Sequence, residues 1–388
     1  MTAWDALVVG AGPAGSAAAA VLASRGARVL LVEKDRFPRT KVCGEFLAGE
    51  ALTSIDRIGA RGALEAALPE RIEEGSLHLS NGRCISFRLP APALGISRTV
   101  LDALLAERAA GLGASVRFEC RVRAIEGSLR EGFRVRLLVG GAGEEETDAR
   151  VVIGAWGRWD ALDRSLDRRF LRRARYFGWN RGFEGGAPLL AGRVRLYLYP
   201  GGYCGLSRVE GAEVNLAGVV SEAVHRRLNG GWDAVLLHAR ESNAALDADL
   251  TALSPGPRGF LGTVPVIFTA KPPVENGVLM VGDAAGVLDP FSGQGQAAAL
   301  ASGILAADTA SEFREGRISA EGLLEEYGRA WRARFFRGFA WSAVLRSLIL
   351  GTRLGSAAAR IAGEPIVRLG IRKLKLEPAQ RGSATTSS

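Results

Sequence analysis

The chain has 388 residues, 47% hydrophobic and 23% charged, with four cysteines, three histidines and a net charge of +9 at pH 7. That length fits two or three domains and that balance a globular protein. No run of about 18 uncharged apolar residues reads as a membrane span or signal sequence, so the expectation is a cytoplasmic protein with free thiols. Cys43, Cys84, Cys120 and Cys204 lack CxxC spacing, and His78, His225 and His238 are too few for a His-based triad or metal cluster, so no metal site is expected.

The first predicted element is a strand, Ala6 to Val9, leading into Gly10-Ala11-Gly12-Pro13-Ala14-Gly15, an Ala-rich helix and a second apolar run that ends at Glu33. This reads as a dinucleotide-binding βαβ unit. Gly10 allows the tight turn, Gly12 lets backbone approach a pyrophosphate, and Gly15 lets the helix pack closely on the strand. The helix N-terminus offers free N–H groups to phosphate, and an acid eighteen residues beyond Gly15 stands where a ribose hydroxyl is held. No GK[ST] follows the glycines, which excludes a P-loop.

From Phe37 to about Gly95 the chain runs through short helical and strand patterns. Ser97 then caps a predicted amphipathic helix carrying Arg98, Leu101, Leu104, Leu105 and Ala109, followed by a strand over Ser115 to Arg121. A hairpin is expected from Phe133–Val139 and Val151–Ile153, with Gly140 to Asp148 as a solvated turn. Beyond Asp160 the composition shifts: a charge run, Arg164 to Arg175, precedes strand patterns at Arg193–Tyr199, Gly202–Arg208 and Glu213–Val220, which suggest an inserted antiparallel sheet forming a substrate domain.

The second motif opens with a strand in Gly277 to Val281, followed by Gly282-Asp283, then Asp289-Pro290-Phe291-Ser292-Gly293-Gln294-Gly295-Gln296 and a long Ala-rich helix from Ala297. An acid at a strand end in an open α/β sheet lies in the ligand crevice, and a Gly-rich helix N-terminus stabilises developing negative charge. From Tyr327 to the C-terminus twelve Lys or Arg stand against two acids, so the net positive charge lies in this tail. Arg329, Arg332, Arg334 and Arg337 alternate with Trp331, Phe335, Phe336, Phe339 and Trp341, the pattern of an amphipathic helix. Two readings stand: packing of the apolar side on the body, or peripheral contact with an anionic membrane or amphipathic lipid. No recognition motif accompanies the charge, so nucleic acid is not an expected partner.

Taken together, Gly10, Gly12, Gly15 and Glu33 with Gly282-Asp283 and Pro290, Gly293 and Gly295 resemble the FAD-binding pattern of the glutathione-reductase-like flavoproteins, in the branch of group A flavin monooxygenases and geranylgeranyl reductases. Pro38 to Glu45 looks like the PxxKxCGG-type motif of the geranylgeranyl reductases, and Ser97 to Asp102 like their R-x-x-L/F-D helix start. Tyr176–Phe183 and Tyr197–Tyr203 fall where that family has strands lining its substrate cavity.

The resemblance implies an α/β glutathione-reductase-like FAD-binding Rossmann fold with an inserted antiparallel-sheet substrate domain and a C-terminal helical segment. The expected division is FAD-binding parts over 1–70, 97–160 and 262–325, substrate-domain parts over 71–96 and 161–261, basic amphipathic helices over 326–380 and a disordered tail over 381–388. The cofactor-binding set it implies is Gly10, Gly12, Pro13, Ala14, Gly15, Glu33, Lys34, Arg98, Val122, Gly282, Asp283, Pro290, Gly293, Gln294 and Gly295. Glu33 would hold the adenosine ribose, Arg98 would lie near the flavin or its diphosphate, Asp283 would bind the ribityl chain, and Gly293 to Gly295 would abut the ring. Cys43 would lie at the flavin face as a catalytic residue, or else is a buried small hydrophobe.

One departure concerns the G-A-D-G segment of the monooxygenases, which here reads Gly154-Ala155-Trp156-Gly157-Arg158. An indole cannot accept hydrogen bonds as a carboxylate does, so the transient electron donor, NAD(P)H or another reductant, is left open. The expected activity is reduction of carbon–carbon double bonds in a hydrophobic isoprenoid-like or lipid substrate by hydride from flavin N5. The alternatives are flavin hydroperoxide-dependent hydroxylation of an aromatic or polyketide substrate, or FAD binding without turnover.

Overall fold

The computed structural model describes residues 4–168 and 175–350, apart from the side chains of 187, 345 and 348–350. The chain opens with β1 (Trp4–Val9), α1 (Pro13–Ser24) and β2 (Val29–Val32), then passes through β3 (Phe46–Leu47), α2 (Ala51–Arg57), α3 (Arg61–Ala66), β4 (Glu70–His78) and β5 (Cys84–Gly95). Next come α4 (Arg98–Gly111), β6 (Ser115–Arg117), β7 (Cys120–Ser128), β8 (Gly132–Val139), β9 (Gly143–Gly154) and α5 (Leu162–Ser165). The middle of the chain forms β10 (Tyr176–Gly185), α6 (Ala187–Leu190), β11 (Arg193–Tyr199), β12 (Gly202–Arg208), β13 (Val214–Ser221), α7 (Glu222–Arg227), α8 (Trp232–Ser242), α9 (Ala244–Thr251), β14 (Leu253–Pro255) and β15 (Leu261–Gly262). It ends in β16 (Val274–Glu275), β17 (Val278–Met280), α10 (Gly295–Arg314) and α11 (Ala320–Leu350).

Two sheets organise these elements. The first runs β16-β17-β9-β1-β2-β6, parallel from β17 to β6, with β7 and β8 attached to β9 as an antiparallel meander. The strands at its centre carry uninterrupted apolar runs, buried along their length. Ala-rich α1 lies between that sheet and α10, and small residues let the two helices nearly touch: a methyl group at Gly303 would collide with the Ala14 carbonyl. Ser97 caps α4 by accepting the Val100 N–H at 3.2 Å.

The second sheet runs β14-β10-β13-β12-β11-β4-β5-β3, with β15 also on β10. Period-2 alternation gives it two faces. Cys204 and Leu206 point into a core shared with Val235, Leu236 and Ala239 of α8 and Leu246 of α9, while Tyr203, Gly205 and Ser207 point the other way, toward a cavity.

Several expectations change. The stretch from Gly143 to Asp148 is not a turn but the first half of β9, paired antiparallel with β8; its acidic side chains stay in water while its backbone completes the ladder. The strand expected over Ser115–Arg121 breaks at Phe118-Glu119, where Glu119 adopts a positive φ of 53°, giving β6 and β7. The inserted sheet is antiparallel except for one pair, β11 with β4, because β4 and β5 are contributed by the earlier excursion of the chain. That sheet also draws in Phe46–Leu47, from inside the expected first FAD-binding part, and Leu261–Gly262 at an expected boundary.

Along part of α11 the apolar side packs on the body of the protein. Tyr327, Trp331 and Phe335, at i, i+4 spacing, are buried in the first core, whereas Phe336 is 58% exposed on the same side as Arg332 and Arg337. The basic segment over 351–380 and the expected disordered tail over 381–388 lie outside the described residues, as does part of the Arg164–Arg175 charge run.

Candidate active site

The turn after β1 is backbone fitted to backbone. Gly10 holds φ 105°, and any side chain there would strike the Ala155 carbonyl; a methyl group at Gly15 would strike the Gly10 carbonyl oxygen. Pro13 takes the first helical position, where its missing N–H costs nothing. Glu33, buried at the end of β2, accepts the Ala11 N–H at 2.9 Å and the Asp35 N–H at 3.1 Å, so the acid and the glycine turn are one unit. Lys34 beside it pairs with Asp160 at 3.5 Å, and Val122 is buried on β7, whose first residue donates its N–H to the Glu33 carbonyl.

Arg98, in the first turn of α4, reaches the space in front of Gly12 and is held bidentate by Asp102 at 2.7 Å through both nitrogens. Arg39 joins the two parts, with guanidinium nitrogens 2.9 Å from Asp102 and 3.4 Å from Glu33.

Across the crevice, β17 ends in Gly282-Asp283. The Asp283 carboxylate is partly open to solvent and 3.9 Å from Arg158. Beneath it Lys271 donates from Nζ to the Arg158 carbonyl at 2.7 Å and the Asp283 carbonyl at 3.2 Å, tying the two strand-end loops together; burial pulls its pKa down to about 8. Trp156 turns its indole N–H to Asp163 at 3.3 Å, and Asp163 is itself paired with Arg168 at 2.8 Å. The indole is thus a satisfied packing group, and Arg158 is the residue of this segment that lines the cavity.

Asp289 introduces the turn before α10. Its Oδ1 accepts the Phe291 N–H at 3.0 Å and the Tyr203 hydroxyl at 2.6 Å, and Pro290 starts a single 3-10 turn that Gly293 ends at φ 66°. Gln294 and Gly295 open α10, whose first N–H groups have no helical partner. Gln294 and Gln296 each bury an Oε1 that nothing satisfies. Cys43 faces this helix start: its Sγ accepts from the Gln296 side-chain amide at 3.4 Å and from the Glu45 N–H at 3.3 Å.

Between this turn and the second sheet lies a cavity of about 190 Å³. Its floor is nearly bare, with Gly178, Gly205 and Ala217 on three neighbouring strands, and Leu77, Phe87 and Leu196 form an apolar wall. Polar groups gather at the opposite end, around Cys43, Gln294, Tyr203 and Arg158.

A family model described as "FAD binding domain" matches residues 3–180. Among curated proteins the chain is 28% identical to a menaquinone reductase of Mycolicibacterium smegmatis, over 86% of this chain and 82% of that protein. It is 29% identical to digeranylgeranylglycerophospholipid reductase 2 of Methanopyrus kandleri, over 94% and 92%. The protein is an FAD-dependent oxidoreductase. It resembles the menaquinone and digeranylgeranylglycerophospholipid reductases at this level of identity.

The fold of this oxidoreductase is shared with the myxobacterial chondrochloren halogenase CndH, at a TM-score of 0.80 and 22% identity over 97% of this chain and 92% of that one. It is also shared with PqsL of Pseudomonas aeruginosa, a probable FAD-dependent monooxygenase, at 0.74 and 20% over 93% and 100%.

The flavoprotein's nominated residues fall in three places. Gly10 to Gly15, Glu33, Lys34, Arg98 and Val122 lie around or beside the first turn, Gly282 and Asp283 lie across from it in a small pocket shared with Gly295, and Pro290, Gly293 and Gln294 with Cys43 border the cavity. Sequence reasoning gave no role to Arg39, Arg158, Gln296 or Asn215. The first three lie inside motifs quoted for their neighbours, and the signal available was a charged or amide side chain in a Gly-rich segment. Asn215, whose Nδ2 donates to the Cys43 carbonyl at 2.9 Å, sits in an apolar strand that carries no motif.

Proposed function

We propose that this FAD-dependent oxidoreductase reduces carbon–carbon double bonds of a hydrophobic, isoprenoid-like substrate. The observation that carries the reading is the cavity: lined mostly by apolar residues, with the Cys43 turn and the segment before α10 contributing to its polar part. Relatives named menaquinone reductase and digeranylgeranylglycerophospholipid reductase support a hydrophobic substrate.

The residues fit FAD. Gly12 leaves open the space in front of Arg98, which a side chain would fill, and the orphaned Gln294 and Gln296 oxygens await donors such as a flavin ring N–H. Glu33 would hold the adenosine ribose, Arg98 with Arg39 the diphosphate side, and Asp283 a ribityl hydroxyl. Bound FAD supplies hydride transfer. The free N–H groups of α10 favour negative charge on the ring, the apolar wall excludes water, and Cys43 lies at the cavity end where a double bond would be presented.

A second reading is monooxygenation of an aromatic or polyketide substrate, favoured by the flat floor of Gly178, Gly205 and Ala217, which suits a ring as well as a chain. The electron donor in either case is NAD(P)H or another transient reductant.

No described helix is long and apolar enough to cross a membrane. The exposed Phe336, Val344, Arg332 and Arg337 of α11 support peripheral contact with an anionic membrane by a protein otherwise in the cytoplasm.

The deciding experiment mixes the reduced holoenzyme with host lipids and small aromatics, with and without oxygen, and weighs the products. Gain of two hydrogens without oxygen is the expected result. Gain of one oxygen atom, only in its presence, replaces the first reading with the second.

A further inference from the structure

We propose that Asn215 is a positioning residue for the Cys43–Glu45 turn, with Asn180 as the group that orients it. Asn180 on β10 and Asn215 on β13 are buried in an otherwise apolar part of the second sheet, 3% and 1% exposed. The Cys43 carbonyl can only accept, so the Asn215 amide must present its NH2 to it, at 2.9 Å; Oδ1 is thereby turned to Asn180, whose Nδ2 donates to it at 3.3 Å. The pair is a one-way chain of donors whose exit is the turn.

The same turn is held from other sides. Glu45 is buried in a left-handed conformation at φ 53°, its carboxylate gripped by both terminal nitrogens of Arg258 at 2.8 and 3.0 Å and by the Arg98 N–H at 3.2 Å. Cys43 Sγ accepts N–H groups from Gln296 and Glu45 and also interacts with the Arg98 guanidinium. Gly44, between them, has nothing within 4 Å of where a side chain would stand, so bare backbone borders the cavity. The Glu45 carbonyl accepts the Ile96 N–H beside β5 at 3.0 Å, and Asn215 is the contact from the middle of the sheet, at the Cys43 carbonyl. Asn215 therefore sets how far the turn stands from the cavity floor and whether the thiol stays opposite Gln296.

The proposal rests on the cavity being the reaction chamber, but its test needs no substrate. In a Cys84→Ser background, where the remaining thiols Cys120 and Cys204 are buried, alkylation of the FAD-loaded protein by iodoacetamide reports Cys43. Asn215→Asp keeps the shape but sets an acceptor against the Cys43 carbonyl. The expected result is alkylation at least fivefold faster, with a displaced visible flavin band, and about twofold faster for Asn180→Ala. Wild-type rate and spectrum in both variants overturn the proposal even if thermal stability falls, since a purely structural pair would lower stability alone. Should Asn215→Asp fail to fold, a wild-type rate in Asn180→Ala overturns it. Product analysis on the same variants keeps the substrate question separate.

Discussion

The turn at Gly10–Gly15 and the cavity above the second sheet do different kinds of work with different materials. The turn is backbone against backbone within a few consecutive residues, and its tolerance is set by hard contact with the Gly10 and Ala155 carbonyls. The cavity is assembled from strands 46 to 219 residues along the chain and from the loop before α10, and its shape is the sum of many soft contacts. Damage to the first should be all or nothing, and damage to the second graded.

The sharpest way to break that contrast is Gly15→Ala. One methyl group collides with a carbonyl that cannot move without opening the turn, so a loss of at least about 3 kcal/mol and of FAD retention is expected. A yellow variant with wild-type melting temperature would show that the turn is soft after all.

Next in size is Arg258→Ala, at the seam between the regions, which leaves the buried Glu45 without its main partner at a cost of about 3 kcal/mol. Burial already holds the Glu45 pKa above its ordinary 4.5, with Arg258 opposing the shift. The folded state therefore binds the proton more tightly, so this group's contribution to stability is present below 4.5 and falls as pH rises toward the folded pKa. Removing the arginine raises that pKa further and widens the window. Melting temperatures between pH 4 and 8 should thus separate variant from wild type increasingly with pH, and parallel curves would reject the assignment.

Gly205→Leu addresses the cavity alone. It fills the floor beside Leu196 and should lower turnover of a bulky substrate about tenfold, or about 1.4 kcal/mol, with full FAD content. Equal loss of flavin would mean that the two regions are not separable.

The smallest effect near neutral pH is expected from Lys271→Met. A lysine whose folded pKa is lowered to about 8 from 10.5 makes the wild type gain stability as pH rises through that interval. Denaturant titrations at pH 8 and 10 should show the gain in wild type and its absence in the variant.

The same contrast explains what could be read from the chain. Gly10, Gly12, Gly15 and Glu33 announce themselves because the physics of a phosphate turn is local in sequence. Asp283 became readable through its strand and its Gly-rich sequel. By contrast, Gly143–Asp148 carries no apolar alternation, and only the neighbouring β8 makes it a strand. Arg39 links Glu33 to Asp102 across 69 residues, and Asn215 meets Cys43 across 172; neither pairing leaves a trace in spacing. Trp156 looked like a missing carboxylate until Asp163, seven residues on, was found receiving its N–H.

α11 is fastened at both ends of its described course: the Tyr327 hydroxyl donates to the Met280 carbonyl, and Arg346 approaches Asp289 at 3.3 Å, while Phe339 covers Gly286 between them. During synthesis on a ribosome, then, the glycine turn emerges first yet waits. The first sheet acquires β17, α10 settles on α1, and the lid over Gly282–Gly286 arrives only after some 340 residues have been made. A ribosome stalled before Phe339 would therefore carry a formed glycine turn beside an uncovered Gly286, with the small pocket at Gly282–Gly286 lacking one of its walls.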